Sequence, residues 1–241
     1  MNAVKINTTY NYQTPFYFPQ KAEISFKGSN NKIKDEFSSS QNSIMQQECK
    51  IEDVKNLVLK IVGLNHPLLK KHLIGTSIYA KAFAKEMGLS RKQIEEIEIA
   101  ALFHDVSKIG HSDKFFQGEA SLLDLRKNKQ HHKTSSNIAK TITPLKGKIA
   151  NLIKHHHDEF KKDGENIPLG SRILHICDKF DSMTTKKYPN SVVKTPQEAV
   201  LYLRKNKKDK WDSEIVEKFC VFISKNDFAL YKQVKNNSYN T

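Results

Sequence analysis

The sequence contains no long apolar run and only three cysteines, and each scarcity excludes a class of protein. No stretch of about 18 consecutive apolar residues occurs, so no membrane span is expected. The first residues lack the charged-then-apolar pattern of a secretory signal. Cys49, Cys177 and Cys220 are widely spaced and form no CxxC pair, which favours reduced thiols over a disulfide framework. Together these features predict a cytoplasmic protein.

Acidic residues are also fewer than basic residues. The chain of 241 residues carries 26 Asp and Glu against 40 Lys and Arg, which gives a formal net charge of +14. Such an excess favours anionic partners, including nucleotides, nucleic acid and acidic surfaces. However, the lysines are mostly dispersed, Arg is scarce, and no basic face interleaved with aromatic residues is evident. A basic solvated surface is therefore favoured over dedicated binding of nucleic acid.

No segment shows clear strand alternation, and the periodic part of the chain is helical. Residues 1–46 are rich in Asn, Ser, Gln and Thr without a sustained period, which predicts a disordered polar tail. Over residues 47–226, apolar residues recur at helical spacing, and Ser90 and Thr195 each begin a capping box. Residues 227–241 are expected to fray as a C-terminal tail. The chain is therefore predicted to be all-α, with one domain of packed helices between two tails.

Residues 97–110 contain the first candidate for chemistry. An apolar helical run leads into His104-Asp105, and Lys108 lies one turn beyond His104 on the same face. Burying such groups is costly unless something compensates them, and a metal ion does so. The alternative is a capped helix end, in which His104 and Lys108 interact with the C-terminal dipole. For an isolated His-Asp pair, that alternative is the favoured interpretation.

Further candidates lie on or near the apolar faces of other predicted helices. They are His72, His131, His155, His156 and Asp178. A single His in such a place is usually a satisfied core residue, but the whole set is better explained by a metal site. Imidazoles and carboxylates without thiolates suit Fe, Mn, Zn or Ni. Because the candidates outnumber the ligands of one tetrahedral ion, a two-metal site is predicted. Of the consecutive histidines 155–157, two can reach one site, and the third is expected at its rim.

The order of these residues resembles the HD superfamily of metal-dependent phosphohydrolases, and most closely its HD-GYP branch of cyclic-dinucleotide phosphodiesterases. Residues 104–110 resemble the HD-x-x-K-I-G signature, and His155-His156 resembles the H-H pair. Residues 167–184 resemble the I-P-x-x-A-R-I segment and the A-D-x-F-D-A-L-T segment that follows it. The resemblance spans about residues 66–222. It implies an HD-domain helical bundle that hydrolyses a nucleotide or a cyclic dinucleotide.

The resemblance also implies a role for each candidate residue. Two divalent ions share Asp105, and their ligand sets are His72, His104, Asp105 and Asp178 for one ion and Asp105, His131, His155 and His156 for the other. A hydroxide that bridges the ions is expected to attack phosphorus. Lys108, and less directly Lys187, are expected to neutralise charge on the phosphoryl oxygens.

The chain departs from the HD-GYP pattern in the loop that follows the H-H pair. His157 stands in the Glu position, and residues 158–166 are shorter than the family loop and contain no Gly-Tyr-Pro. Leu68 stands where three-metal members have Glu, so two ions are favoured over three. Lys187 stands in place of an Arg, which implies a weaker, point-charge contact. Two alternatives to cyclic-dinucleotide hydrolysis therefore remain open. One is an HD hydrolase of another nucleotide or a phosphomonoester, and the other is a non-catalytic signalling module that binds a cyclic dinucleotide or a partner.

Overall fold

The computed structural model describes residues 50–186 and 191–237, and this part of the chain is helical. The predicted tail over residues 1–46 lies outside the described residues. Within the described ranges no strand occurs, which confirms the predicted all-α class. Within the same ranges, no helix has both the length and the apolar character needed to cross a bilayer. The helices are α1 Ile51–Asn65, α2 Pro67–Glu86, α3 Arg91–Phe103, α4 Asp113–Gln117, α5 Leu122–Lys129, α6 His131–Thr141, α7 Lys148–Lys154, α8 Phe160–Asp163, α9 Leu169–Thr184, α10 Pro196–Lys210 and α11 Ser213–Asn237, with short 3₁₀ segments at Val106–Gly110, Thr143–Leu145 and Gly164–Asn166.

Side-chain caps fix where two of these helices begin. Ser90 Oγ accepts a hydrogen bond from the backbone N–H of Gln93, and Gln93 Oε1 accepts one from the backbone N–H of Ser90 at 3.1 Å. Thr195 and Glu198 make the same reciprocal pair at the start of α10. Both capping boxes confirm the sequence prediction. Because each one satisfies N–H groups that a helix leaves unpaired, it fixes the residue at which the helix begins.

Helix α2 lies at the centre of the domain and packs against both α3 and α9. Its fully buried residues Tyr79 and Phe83 meet Phe180 of α9 and Phe219 of α11. Both contacts are edge to face, with ring centroids 5.3 Å and 5.2 Å apart. Such a pair contributes about 0.5–1.5 kcal/mol beyond the burial of its area. These contacts fix the rotation of α2 and α9, so the polar residues on the two helices also face each other.

Helix α9 approaches its neighbours closely at Gly170. A Cβ atom at this position would lie 2.9 Å from Ile97 Cγ1 of α3 and 2.9 Å from Leu152 Cδ2 of α7. The next residue, Ser171, donates a hydrogen bond from its Oγ to the carbonyl of Leu152 at 2.9 Å. The missing side chain therefore lets the first turn of α9 lie directly against α3 and α7. This contact sets the position of Asp178 two turns further along the helix.

The last helix continues beyond the predicted domain boundary at residue 226. Helix α11 extends to Asn237, and both Phe228 and Val234 are buried in the main hydrophobic core. Residues 227–237 therefore pack as part of the domain instead of fraying as a tail. The physical reason is that these apolar side chains have core contacts, which the composition of the segment does not reveal. The remaining residues of the predicted tail, 238–241, lie outside the described residues.

The substitution Gly170→Ala is expected to lower the free energy of unfolding by about 1–3 kcal/mol, because its methyl group overpacks against Ile97 and Leu152. Urea unfolding followed by circular dichroism measures this change. Gly110→Ala is the matched control, since no atom lies within 4 Å of a Cβ built at that position. Equal destabilisation of the two variants would contradict a special role for the close approach at Gly170.

Candidate metal centre

Seven His and Asp side chains from separate segments converge on one centre. They form three overlapping groups, and the nitrogen and oxygen atoms within each group lie within 4.8 Å of one another. The groups are His72, His104 and Asp178; His104, Asp105 and His156; and His131, His156 and His157. Because the groups share members, they make one continuous cluster between α2, the end of α3, the start of α6, the turn after α7, and α9.

Helix ends orient three of the histidines. Nδ1 of His104, of His131 and of His156 each lies within hydrogen-bond distance of the carbonyl oxygen three residues earlier. The distance is 2.7 Å for His104 and 2.6 Å for His156. Since a carbonyl oxygen only accepts, Nδ1 donates in each ring. In the neutral ring, Nε2 then presents a lone pair to the centre of the cluster.

A carboxylate orients His72. Nδ1 of His72 donates to Asp181 Oδ2 at 2.7 Å, which leaves its Nε2 3.1 Å from Asp178 Oδ1 and 3.7 Å from Asp105 Oδ2. A carboxylate behind the ring is a common way to hold a metal-ligating His. Asp181 reaches this position because residue 75 is glycine. A Cβ on Gly75 would lie only 2.4 Å from Asp181 Oδ1.

Asp105 lies between two sets of imidazoles. Its Oδ2 is 3.4 Å from His104 Nε2, while its Oδ1 is 3.1 Å from His131 Nε2. Lys108 Nζ lies 2.5 Å from the same Oδ2. The Asp105 side chain is 2% exposed. A buried carboxylate whose two oxygens face separate groups of donors has the geometry needed to join two ions.

Three polar atoms of the cluster are buried without a hydrogen-bond partner in the described part of the chain. They are His104 Nε2, His156 Nε2 and Asp105 Oδ1. Leaving one such atom unpaired costs about 1–3 kcal/mol. All three belong to residues of the group His104, Asp105 and His156, each of which offers a ligand atom within 4.8 Å of the others. A divalent cation satisfies them together, and imidazole and carboxylate donors suit first-row transition metals. The nitrogen and oxygen atoms of these three residues are therefore suited to bind a divalent metal ion.

Electrostatic interactions keep the two carboxylates ionised. Burial favours the neutral acid, but the Lys108 ammonium and the His104 ring hold the pKa of Asp105 well below its usual range. Hydrogen bonds with His104 and His72 likewise outweigh burial and hold the pKa of Asp178 well below its usual range. In return, the carboxylates outweigh burial at His104 and raise its pKa to about 9. This half of the cluster therefore favours positive charge between its carboxylates, which a bound cation supplies.

The other half of the cluster consists of histidines whose pKa values are low. Burial lowers the pKa of His131, takes that of His156 well below its usual value, and contributes most to lowering that of His157 to about 3. These rings are neutral at pH 7, which is the form that binds a metal. His157 Nε2 lies within hydrogen-bond distance of His131 Nε2, at 3.0 Å, so these two ring nitrogens already face each other.

A cavity of about 90 Å³ adjoins the cluster. His72, Asp105 and Lys108 line it together with Phe115 and Phe116. The cavity thus places an ammonium group beside candidate metal ligands in a partly apolar setting. This arrangement suits an anionic group such as a phosphate.

The structure brings together every predicted ligand except His155. Nδ1 of His155 instead lies 2.5 Å from Asp158 Oδ2, outside the cluster. His157 occupies the place that the sequence interpretation gave to His155, because α7 ends at Lys154 and the turn that follows presents residues 156 and 157 to the centre. Lys187, predicted to contact phosphate, lies outside the described residues.

The sequence itself indicates which two of the three consecutive histidines correspond to the H-H pair. An acidic residue directly follows the H-H pair of the HD-GYP branch, and Asp158 directly follows His157. Aligning the acidic residues therefore selects His156-His157 as the pair. Asp181, three residues beyond Asp178 on α9, is not among the sequence candidates, because its role in orienting His72 depends on the packing of α2 against α9.

The HD domain family model matches residues 56–215 of the chain. The chain belongs to the HD-domain family. The matched region includes every residue of the cluster, and the match confirms the resemblance inferred from the motifs.

Curated relatives align with about half of this HD domain chain. A cyclic di-GMP phosphodiesterase of Thermotoga maritima is 27% identical over 146 residues, which are 56% of this chain and 39% of that protein. A 3'3'-cGAMP-specific phosphodiesterase of Vibrio cholerae is 24% identical over 53% of this chain and 30% of its own length. The response regulator RpfG of Xanthomonas campestris, a cyclic di-GMP phosphodiesterase, is 28% identical over 50% of this chain and 34% of its own length. The chain thus matches well under half of each relative.

Solved structures share the fold of this HD domain. The HD domain of the L. monocytogenes phosphodiesterase PgpH superposes with a TM-score of 0.54 at 13% identity, covering 74% of this chain and 98% of that one. An HDG"Y"P protein from Bdellovibrio bacteriovorus superposes with a TM-score of 0.52 at 16% identity, covering 76% and 67% of the two chains. At these identities the likeness concerns the fold alone.

The substitution His157→Ala is expected to weaken metal binding by at least about tenfold, because it removes a ring from the group with His131 and His156. Inductively coupled plasma mass spectrometry of the purified protein measures the metal content. His155→Ala is the matched control and should keep the wild-type content, since His155 lies outside the cluster. Loss of metal from His155→Ala alone would instead support His155 and His156 as the pair of metal ligands.

Proposed function

We propose that this HD domain is a metal-dependent phosphodiesterase that uses two divalent ions to hydrolyse a cyclic dinucleotide. The position of Asp105 carries the proposal, because its two oxygens face separate groups of imidazoles. Fe, Mn, Zn and Ni all suit these donors. One ion would be held by His72, His104, Asp105 and Asp178, and the other by Asp105, His131, His156 and His157.

Two divalent ions, when bound at such a centre, supply a nucleophilic hydroxide and a clamp on the phosphate oxygens. The chain's own residues supply position and charge. Asp181 and the helix-end carbonyls hold the imidazoles in place before substrate arrives. Lys108 keeps Asp105 ionised and also lines the adjoining cavity. Its ammonium group would therefore neutralise the negative charge that a phosphate in the cavity gains during attack.

The choice of a cyclic dinucleotide rests on the relatives and on charge. The three curated relatives are named as phosphodiesterases of cyclic di-GMP or 3'3'-cGAMP. One structure of the PgpH HD domain holds cyclic di-AMP. A net charge of +14 favours an anionic substrate of this kind over a neutral one.

A second candidate, hydrolysis of another nucleotide or a phosphomonoester, is favoured by the loop before α9. Helix α8 and one 3₁₀ turn at Gly164–Asn166 are the only regular elements between the cluster and α9. The segment is shorter than the Gly-Tyr-Pro loop of the HD-GYP branch. A shorter loop encloses less of a large substrate, so the metal centre is also open to a smaller phosphoester.

A hydrolysis screen separates these candidates. Protein purified without oxygen or chelator, with its metals counted in the same sample, is tested on cyclic di-GMP, 3'3'-cGAMP, cyclic di-AMP, linear dinucleotides and simple phosphomonoesters. We expect two ions per chain and cleavage of at least one cyclic dinucleotide. Turnover restricted to mononucleotides or monoesters would select the second candidate. Tight binding of a nucleotide by metal-loaded protein without turnover would indicate a signalling module.

The isosteric change Asp105→Asn is expected to lower kcat by at least about a hundredfold and to remove bound metal. An amide offers one oxygen where the shared carboxylate offers two, so the ions lose their common ligand. Steady-state kinetics and metal analysis on the same preparation measure both effects. Asp53→Asn, on the exposed face of α1, is the control. An active Asp105→Asn protein with its full metal content would overturn the two-metal proposal.

A further inference from the structure

A second and larger cavity, of about 580 Å³, lies beside the metal centre and is rich in lysine. Helix α2, the end of α9 and the last turns of α11 contribute to its wall. We call it the basic groove. No Asp or Glu occurs among the described residues that line it, and its basic residues are Lys71, Lys186, Lys232 and Lys235.

The basic groove adjoins the cavity of the metal centre. Leu68 lines both cavities, so the two cavities share a wall residue. Hydrogen bonds also connect the wall of the groove to the cluster. Lys235 donates to Thr185 Oγ1, and Thr185 donates in turn to Asp181 Oδ1 at 3.0 Å. Asp181 accepts from His72. The wall of the basic groove is therefore joined to the metal centre both by a shared side chain and by hydrogen bonds.

The side chains of the groove suit an anion attached to a flat apolar group. Lys232 is exposed and pairs with Asp227 at 2.5 Å. Because solvent weakens such an exposed ion pair, a phosphate is able to compete with Asp227 for the ammonium group. Val193 and Tyr231 add apolar surface to the same lining. An aromatic ring next to ammonium groups is the combination that receives a nucleobase and its phosphate.

We propose that the basic groove binds the second phosphate of a substrate with two phosphodiester groups, while the first phosphate lies at the metal centre beside Lys108. This proposal rests on the proposed function. It assigns the selectivity of the enzyme among phosphoester substrates to residues outside the metal cluster. A monoester or a single diester has no group to place in the groove. The groove lysines therefore favour a cyclic dinucleotide over smaller phosphoesters, even though the Gly-Tyr-Pro loop is missing.

The test compares two substrates of the metal-loaded protein, cyclic di-GMP with two phosphates and bis(p-nitrophenyl) phosphate with one. Lys71→Met and Lys232→Met are each expected to lower the ratio of their kcat/KM values by about threefold to fivefold, with most of the loss in KM for cyclic di-GMP. Lys92→Met, at an exposed position in the first turn of α3, removes the same charge outside the groove and should keep the wild-type ratio. An unchanged ratio in both groove variants would overturn the proposal.

Calorimetric binding of cyclic di-GMP to the same proteins separates this proposal from the proposed function. If cyclic di-GMP is cleaved, but neither the ratio of kcat/KM values nor the Kd changes in the groove variants, the groove does not bind the second phosphate. The proposed phosphodiesterase function would then stand. Binding that weakens in Lys71→Met and Lys232→Met but never leads to cleavage would refute the phosphodiesterase and retain the groove. Absence of both binding and cleavage would refute both.

Discussion

Asp105 is an ionised carboxylate that is almost fully buried among histidines, and a charge in that position needs compensation on both of its oxygens. Lys108 compensates Oδ2, while Oδ1 faces His131 without a hydrogen-bond partner. Much of the rest of the domain can be understood from this constraint. Helices α2, α3, α6 and α9 all begin, end or pass close to this carboxylate, and each brings a His or Asp side chain to the cluster around it.

The precision of this centre comes from groups that do not themselves face it. Backbone carbonyls at helix ends fix three rings, and Asp181 fixes His72 because Gly75 leaves room for it. Thr185 and Lys235 extend this support to the last helix. The final turns of α11 are therefore packed into the core and also connected to the metal centre, which explains why residues beyond 226 belong to the domain.

Local signals predicted much of the architecture and most of the site. The capping boxes at Ser90 and Thr195 and the apolar spacing depend on neighbours within a few residues, so the sequence is sufficient to locate them. The structure places His157 instead of His155 in the cluster, and the helical spacing of the sequence does not distinguish them, because three successive rings differ only in how the turn after α7 directs them. Which ring faces inward depends on where α7 stops and on what packs against that turn.

The sequence by itself determined that this chain is an all-α domain of the HD family with a His- and Asp-rich centre, since periodicity, caps and motif order are encoded along the chain. Only the tertiary structure decided that Asp105 has its oxygens divided between two groups of imidazoles, and that Lys71 and Lys232 line one groove. The contact between Asp105 and His131 depends on the packing of α6 against the 3₁₀ segment that follows α3, and the groove depends on the packing of α2, α9 and α11. Both relations join residues far apart in sequence, and no local pattern specifies them.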